Sequence, residues 1–292
     1  GPFLLTIILI YIPDEFYPLK LIFLLLGILG IMSDKDFLTN PKIRMFIQCL
    51  LIFLFVSLLE LEIDDLRIDI LNNLLSNNLF NIFFTVFCIA ILINGSNFID
   101  GLNGLLSGYV IIVLLSVLFI SYKFPAIILI DKTFLNIFIF ALFIFFIFNI
   151  SGYIFLGDSG SYVISLFVGF YLIKLYAVNE ILSPYYIAAV LWYPIFENLF
   201  SFIRRLKKKI EISKADNFHL HHLFYKFIKQ KKSIKEDKIN SFCSLIILLV
   251  NIPSFLISNL FPTKTIILVS IIVINIIIYL FVYNFFSKQL KN

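Results

Sequence analysis

Charged residues are scarce in this chain. They make up 14% of the 292 residues, whereas hydrophobic residues make up 61% and the mean hydropathy is +1.03. A soluble domain carries about 25% charged residues, because it must present a polar exterior to water. The composition therefore argues strongly against a soluble globular protein and predicts an integral membrane protein.

The sequence also has no CxxC motif and no recognisable secretory signal peptide. The three cysteines, Cys49, Cys88 and Cys243, lie inside apolar runs, and none belongs to a CxxC pair. This argues against a disulfide framework and against a zinc site built on cysteine, and it predicts three small buried side chains. The chain opens at Gly1-Pro2 without a methionine, from which we expect a fragment that lacks its true N-terminus.

Apolar runs recur along the whole chain. A membrane-spanning helix needs about 20 apolar residues, and reading the runs between polar breaks gives ten candidates. They lie at 3–15, 17–32, 43–60, 79–95, 104–122, 133–151, 161–178, 184–203, 239–260 and 264–287. The prediction is an all-α, polytopic transmembrane helix bundle that forms a single domain over residues 1–292.

Lysine and arginine are concentrated in one loop. The segment 204–238, between the eighth and ninth spans, holds 12 of the 23 basic residues. Cytoplasmic loops carry an excess of such residues, so this loop is predicted to be cytoplasmic. Counting spans backward then places 33–42, 94–103 and 152–160 on the same side. Attraction to anionic lipid is a sufficient role for most of these lysines, and nucleic acid is not expected as a partner.

Polar residues near the span ends form four clusters, all on the predicted cytoplasmic side. They are Ser33–Asp36, Asn94–Gly104, Gly157–Ser161 and His219–His222, and the last contains all three histidines. Each cluster alone has an ordinary explanation as a solvated loop, a turn or a helix cap. Because ionisable groups are costly in a bilayer, four clusters on one face predict a shared active-site cleft.

Carboxylates and side-chain amides together suit a hard cation such as Mg²⁺ or Mn²⁺. If the second cluster is helical, Asn97, Asp100 and Asn103 share one face. Glycines and helix N-terminal amides in the third cluster favour anions. This set suits phosphoryl transfer, which depends mostly on positioning and charge neutralisation. A zinc hydrolase is less well supported, since no HExxH is present, and a secondary transporter remains the alternative of another class.

The same residues resemble the signatures of the polyprenyl-phosphate N-acetylhexosamine-1-phosphate transferases, glycosyltransferase family 4. NGSNFIDGLNGL is similar to the signature NxxDGxDGL, FLGDSGS to GDxGS, and ADNFHLHHLF to HxHH. SDKDFLTNPKIRMFIQ resembles the family's acid-pair loop with its following Pro-x-x-Arg and Gln, and Pro194 with Glu197 resembles its Pro-Asp/Glu pair. The ordered set covers essentially the whole chain.

The resemblance implies a reaction. N-acetylhexosamine 1-phosphate would pass from a UDP-N-acetylhexosamine to polyprenyl (undecaprenyl) phosphate, releasing UMP at the cytoplasmic face of the bacterial inner membrane. The HLHH form is similar to the branch that starts lipopolysaccharide O-antigen, teichoic acid or capsule chains, so N-acetylglucosamine is the expected sugar. Transfer of a UDP-MurNAc-pentapeptide and an inactive relative that binds lipid phosphate are the alternatives, and a homodimer is an open expectation.

The resemblance also implies residue roles. The catalytic residues would be Asp34, Asp100 and Asp158, with Mg²⁺ (or Mn²⁺) held by Asp158 and Asp34. The substrate-binding residues would be Asn97, Asn103, Arg204, Arg205, His219, His221 and His222.

The chain departs from the family pattern at several places. Ser33 and Asn103 stand where the family has acids, Asn217 stands where it commonly has an arginine, and one further N-terminal span is expected before Gly1. Asp36 is the candidate to supply the missing carboxylate.

Overall fold

The computed structural model of the chain describes residues 2–12, 17–209, 218–231 and 236–290. Those residues form thirteen helices and no strand, which confirms the all-α prediction. The helices are α1 (Pro2–Tyr11), α2 (Tyr17–Asp34), α3 (Pro41–Leu58), α4 (Asp69–Leu75), α5 (Asn78–Ile99), α6 (Leu105–Lys123), α7 (Lys132–Ile150), α8 (Gly157–Val178), α9 (Pro184–Val190), α10 (Trp192–Lys208), α11 (Leu220–Gln230), α12 (Glu236–Leu260) and α13 (Thr265–Gln289).

Eight of these helices are long and apolar enough to cross a membrane, namely α2, α3, α5, α6, α7, α8, α12 and α13. A ninth span is formed if α9 and α10, which meet at 76°, are counted together. The prediction 3–15 corresponds to α1, which has ten residues, and its end at 13–15 lies outside the described residues. The polytopic helix bundle is confirmed, whereas the count of ten spans is not.

The bend between α9 and α10 has a local cause. Pro194 has no N–H to donate to the carbonyl of Val190, and its ring crowds that carbonyl. The helix is therefore interrupted at Leu191, inside the predicted span 184–203. The bend matters for function because α10 leads to the histidine cluster.

Small residues let the helices that carry the polar clusters approach closely. A Cβ on Gly30 in α2 would lie 2.3 Å from the backbone nitrogen of Ser159 in α8. A Cβ on Gly95 in α5 would lie 2.0 Å from the carbonyl oxygen of Pro194 in α10. Glycine is required at both crossings, and the crossings bring the ends of α2, α5, α8 and α10 together.

The loops at one end of the bundle are joined to one another by hydrogen bonds. At the end opposite the polar clusters, the Arg67 guanidinium donates to the Thr263 carbonyl at 3.2 Å and the Thr265 hydroxyl at 2.6 Å. There too the Asn179 side chain exchanges hydrogen bonds with the backbone of Ile128. These loops are the ones that span counting assigns to a common side, so the pairing of loops agrees with the predicted parity.

Candidate active site

Three of the four polar clusters line one cleft of about 700 Å³ at one end of the bundle, and the first, Ser33–Asp36, is hydrogen-bonded to the third through Ser33 and Asp34. Its walls come from the N-terminal half of α3, the end of α5, the start of α8, the C-terminal half of α10 and the histidine segment. Six of the predicted site residues line the cleft: Asn97, Asp100, Asp158, Arg205, His219 and His222. The convergence predicted from span parity is therefore observed.

Asp34 contacts the N-terminus of α8, the helix that carries Asp158. It is the last residue of α2, and its Oδ1 accepts a hydrogen bond from the Asp158 N–H at 2.9 Å. Its Oδ2 accepts from the Ser159 N–H at 3.4 Å. A carboxylate at a helix N-terminus satisfies unpaired N–H groups and complements the helix dipole. Gly157 is needed here because its φ is +67° and a Cβ would lie 2.6 Å from Asp34 Oδ2.

Asp158 is held by donors from three elements. Its Oδ2 accepts hydrogen bonds from the Ser33 hydroxyl, from the Tyr162 hydroxyl at 3.1 Å and from Arg44 Nη1 at 3.3 Å. Arg44 also donates to the Ser33 hydroxyl. Ser33, at the position of a family acid, therefore acts as a hydrogen-bond donor to the carboxylate that faces the cleft.

Asp100 is the third carboxylate of the site. It follows the last residue of α5 as its C-cap and lines the cleft. Loss of hydration is the main cause that raises the pKa of Asp100 well above its usual range, and the negative charges of Asp158 and Asp34 raise it further. In these surroundings the carboxyl has a lower free energy when it is protonated or lies next to a cation.

Oxygen donors dominate the ligands that this cleft would offer a metal. Within the described ranges, no three His, Cys, Asp or Glu side chains are arranged as a ready-made metal site. Three neighbouring carboxylates still provide the hard donors that Mg²⁺ prefers, and Mg²⁺ commonly keeps most of its waters and takes one or two carboxylates. This donor chemistry is compatible with Mg²⁺. Asp36 is exposed, adopts φ +58° and does not line the cleft, so it does not replace the missing acid.

Glu197 organises the histidine cluster from within α10. The side chain is completely buried. Its Oε1 lies 2.9 Å from His219 Nδ1 and accepts from the Leu220 N–H at 3.1 Å, while its Oε2 accepts from the Tyr279 hydroxyl at 2.8 Å. A hydrogen bond at one ring nitrogen fixes the orientation of an imidazole, so the ring of His219 is held toward the cleft.

The other two histidines differ in exposure. His222 lines the cleft, whereas His221 is completely buried against Gly101, where a Cβ would lie 2.9 Å from His221 Nε2. Neither ring nitrogen of His221 has a hydrogen-bond partner among the described residues. Burial, reinforced by His222 and His219, lowers the pKa of His221 well below its usual range. His221 is therefore buried in its neutral form behind the cleft lining, and its contact with substrate stays a prediction.

Two further predicted substrate-binding residues, besides His221, do not line the cleft. The predicted helical face of Asn97, Asp100 and Asn103 does not form, because α5 ends at Ile99 and Gly104 adopts φ +82°. The Asn103 N–H donates to Asn240 Oδ1 at 2.6 Å instead. Arg204 lies on the other side of α10 from Arg205 and donates to the Phe218 carbonyl and, at 2.8 Å, to the Tyr283 hydroxyl. Asn103 and Arg204 do not line the cleft, and their contact with substrate stays a prediction.

Several cleft residues were not assigned a role from the sequence. Arg44, Gln48, Asn94 and Asn198 line the cleft, and Glu197 supports it. Arg44, Gln48 and Glu197 lie in segments that resemble family motifs. Glu197 also carried a direct signal, because an acid inside an apolar span is costly and usually functional.

Comparisons with known proteins identify the family of the chain. A family model described as Glycosyl transferase family 4 matches residues 17–176. The chain is 30% identical over 204 residues to the "Probable undecaprenyl-phosphate N-acetylglucosaminyl 1-phosphate transferase" of Bacillus subtilis, over 68% of this chain and 55% of the relative. It is 26% identical over 231 residues to the "Undecaprenyl-phosphate alpha-N-acetylglucosaminyl 1-phosphate transferase" of Thermotoga maritima, over 79% of this chain and 68% of the relative. The chain thus spans little more than half of the Bacillus subtilis relative.

Proposed function

Since the chain belongs to glycosyl transferase family 4, we propose that it transfers N-acetylglucosamine 1-phosphate from UDP-N-acetylglucosamine to undecaprenyl phosphate, with release of UMP. The observation that carries the proposal is the convergence of Asp100 and Asp158 with His219 and His222 on one cleft, with Asp34 bonded to the backbone of Asp158. The names of the two relatives support the choice of sugar and lipid. Acids gathered at helix ends suit this chemistry better than a transport path through the bilayer midplane.

The reaction is a substitution at phosphorus. An oxygen of the lipid phosphate bonds to the β-phosphorus of the UDP-sugar, and the bond from that phosphorus to the bridging oxygen breaks. The electron pair leaves with UMP, so no covalent enzyme intermediate is required. The cleft must therefore hold two anionic substrates in line and offset their charge.

The arginine side chains of the cleft would offset the negative charge of the substrates. Arg44 on α3 and Arg205 on α10 line the cleft, and His222 of the histidine segment lines it with them. A guanidinium binds phosphate oxygens through paired donors. Arg44 already contacts Asp158 at 3.3 Å, which places it where a phosphate and a carboxylate would share its charge.

Mg²⁺ is the cofactor that the donor set would hold, with Asp158 and Asp34 as protein ligands and Asp100 beside them. Bound there, it would supply neutralisation of the diphosphate charge. Asp34 keeps Asp158 in place through the start of α8, and Arg44 and Ser33 fix the carboxylate of Asp158. Asn97 accepts from the Ser161 hydroxyl at 2.9 Å, which joins α5 to α8 beneath the cleft.

His219 would contact the nucleotide sugar or its phosphates. Glu197 bonds to Nδ1 and thereby leaves Nε2 for the substrate, as the cleft lining requires. In this assignment Glu197 is a positioning residue, since it touches the histidine and no substrate.

The cleft would face the cytoplasm at the bacterial inner membrane. The basic residues at the end of α10, on α11 and at Lys288 lie at the same end of the bundle as the cleft, and cytoplasmic ends are rich in such residues. A cysteine at Lys208 in a cysteine-free background should resist membrane-impermeant maleimide in intact cells. Rapid labelling of that cysteine, together with protection of a cysteine at Asp64, would show that the protein has the opposite orientation in the membrane.

The activity is tested by a transfer assay with the purified protein at its natural length. UDP-N-acetylglucosamine, undecaprenyl phosphate and Mg²⁺ should give a lipid-linked sugar and UMP. Asp158→Asn should reduce the rate by about 10³-fold or more, because it removes a charge from the centre of the site. Absence of product from the parent protein, or full activity in Asp158→Asn, would contradict the assignment.

A further inference from the structure

A buried asparagine lies between two loops that adjoin carboxylates of the cleft. Asn149, in the last turn of α7, is 2% exposed and lies outside the cleft lining. The first loop runs from Asp100 to Gly104, and the second, 151–156, leads into Asp158 at the start of α8. The reaction proposed above assigns no role to Asn149.

The side chain of Asn149 is hydrogen-bonded to both loops. Its Oδ1 accepts from the Gly104 N–H at 2.8 Å and from the Ser107 hydroxyl at 3.0 Å. Its Nδ2 donates to the Ile154 carbonyl at 2.8 Å. Gly104 is the N-cap of α6, where the N–H has no partner within the helix. One amide group therefore joins the loop after Asp100 to the loop before Asp158.

The two loops hold a pair of neighbouring carboxylates. Asp100 lies within electrostatic reach of Asp158 and next to the backbone of Gly157, where the second loop passes into α8. Both carboxylates line the cleft. Because a loop has few of the backbone hydrogen bonds that fix a helix, its position depends on side chains that bond to its N–H and C=O groups. Asn149 provides such bonds to both loops.

Removing these bonds would change the spacing of the two carboxylates. A buried backbone N–H or C=O that loses its partner lowers stability, so both loops would move until their groups found new partners. A misplacement of about 1 Å at an active site can reduce the rate by about 10²-fold. Since Asn149 does not line the cleft, its effect on the reaction would pass through the loops.

We propose that Asn149 is a positioning residue whose buried amide sets the distance between Asp100 and Asp158 by joining their loops. It acts through the backbone at Gly104 and Ile154 and touches no substrate. The consequence for the transfer rate rests on the proposed function, whereas the effect on the pair of carboxylates does not.

The opposite end of the bundle offers a matched control. Asn179 is 3% exposed, its Oδ1 accepts from the Ile128 N–H at 2.7 Å, and its Nδ2 donates to the carbonyls of Ile128 and Leu175 at 3.0 Å and 2.7 Å. Asn149→Leu and Asn179→Leu each remove three such bonds, so both should lower Tm by a similar amount. Ser107→Ala removes one of the bonds to Asn149 and is the milder variant if Asn149→Leu does not fold.

Steady-state kinetics of sugar 1-phosphate transfer separate the two leucine variants. Asn149→Leu should lower kcat about tenfold or more and leave KM for UDP-N-acetylglucosamine within about twofold, because the carboxylates are displaced while the other substrate contacts remain. Asn179→Leu should keep kcat within about twofold of the parent, and Ser107→Ala should lie between them. Equal losses of kcat in the two leucine variants, or full kcat in Asn149→Leu, would overturn the proposal.

A second measurement on the purified protein requires no turnover. The Mg²⁺ concentration that gives half of the full rise in Tm depends on the spacing of the carboxylates. It should increase about threefold or more in Asn149→Leu and stay at the parent value in Asn179→Leu. An unchanged value in Asn149→Leu, or a parent whose Tm does not respond to Mg²⁺, would overturn the role of Asn149. If this shift is present but the parent transfers no sugar 1-phosphate, the proposed function alone is overturned.

Discussion

At the scale of single residues, Glu197 has the strongest structural constraints in the site. Both oxygens of its buried carboxylate accept hydrogen bonds, from His219 and Leu220 on one side and from Tyr279 on the other. A buried charge is costly unless it is fully hydrogen-bonded. The arrangement therefore ties the position of His219 to the core of the bundle.

Glu197→Gln should lower kcat about tenfold to hundredfold while KM for UDP-N-acetylglucosamine changes little. The substitution removes a hydrogen bond to a charged group, worth about 1.5–3 kcal/mol, and leaves the other cleft contacts intact. Steady-state kinetics check this. The control is Tyr279→Phe, which removes a hydrogen bond from the other oxygen of the same carboxylate and should reduce kcat less. Equal losses in both variants, in step with equal losses of Tm, would indicate a structural role only.

Asp100 gives a second prediction at this scale, on metal binding. Because its pKa is raised, its ionised form costs folding free energy near neutral pH, by about 1.4 kcal/mol per pKa unit. In metal-free buffer, Asp100→Asn should therefore raise Tm by about 2 °C or more, as should lowering the pH through the raised pKa. Adding Mg²⁺ should stabilise the parent more than the variant.

Asp36→Asn is the matched control for that measurement. It removes one carboxylate from an exposed position in the loop after Asp34, outside the cleft. Its Tm and its response to Mg²⁺ should equal those of the parent. If Mg²⁺ raises the Tm of Asp100→Asn as much as that of the parent, Asp100 does not contribute to metal binding.

At the scale of helices, the contact between α5 and α10 sets the width of the cleft. Gly95 packs against the backbone carbonyl of Pro194, which cannot move aside as a side chain can. Asn198 of α10 donates to the Ile91 carbonyl at 3.0 Å and fixes the same crossing. Asp100 is the C-cap of α5, and Glu197 of α10 is hydrogen-bonded to His219.

Gly95→Ala should therefore lower the free energy of unfolding by about 1–3 kcal/mol and reduce activity, since the added methyl forces the helices apart. Thermal unfolding and the transfer assay measure the two effects. Gly169→Ala in α8 is the matched control, because its Cβ would meet the end of the flexible Leu92 side chain at 3.3 Å. A Gly95→Ala variant as stable and active as Gly169→Ala would show that the crossing is not critical.

Helices and their ends were predictable to different degrees. Apolar runs located the eight long helices, because lipid selects for length and hydrophobicity alone. They did not reveal the bend at Leu191 or the amphipathic helix α11, since both depend on packing against neighbouring elements. The same limit explains Asn103, whose side chain was predicted on a helical face that Gly101 and Gly104 interrupt.

At the scale of the whole molecule, the bundle has two chemically different ends. The loops at one end are joined by Arg67 and Asn179, and the opposite end holds the carboxylates and histidines. Span parity predicted this separation, because each crossing reverses the side of the membrane. It could not predict which of two adjacent arginines faces the cleft, since helix rotation is set by side-chain packing. In the structure Arg205 lines the cleft, whereas Arg204 donates to the Tyr283 hydroxyl on another face of α10.

The most direct test of the proposed function follows the fate of the β-phosphate. UDP-N-acetylglucosamine labelled with ¹⁴C in the sugar and ³²P at the β-phosphorus is incubated with the protein, undecaprenyl phosphate and Mg²⁺. If the cleft transfers a sugar 1-phosphate, both labels enter the lipid fraction in equal amounts and unlabelled UMP is released. Lipid that carries ¹⁴C without ³²P, or neither label, would contradict the account.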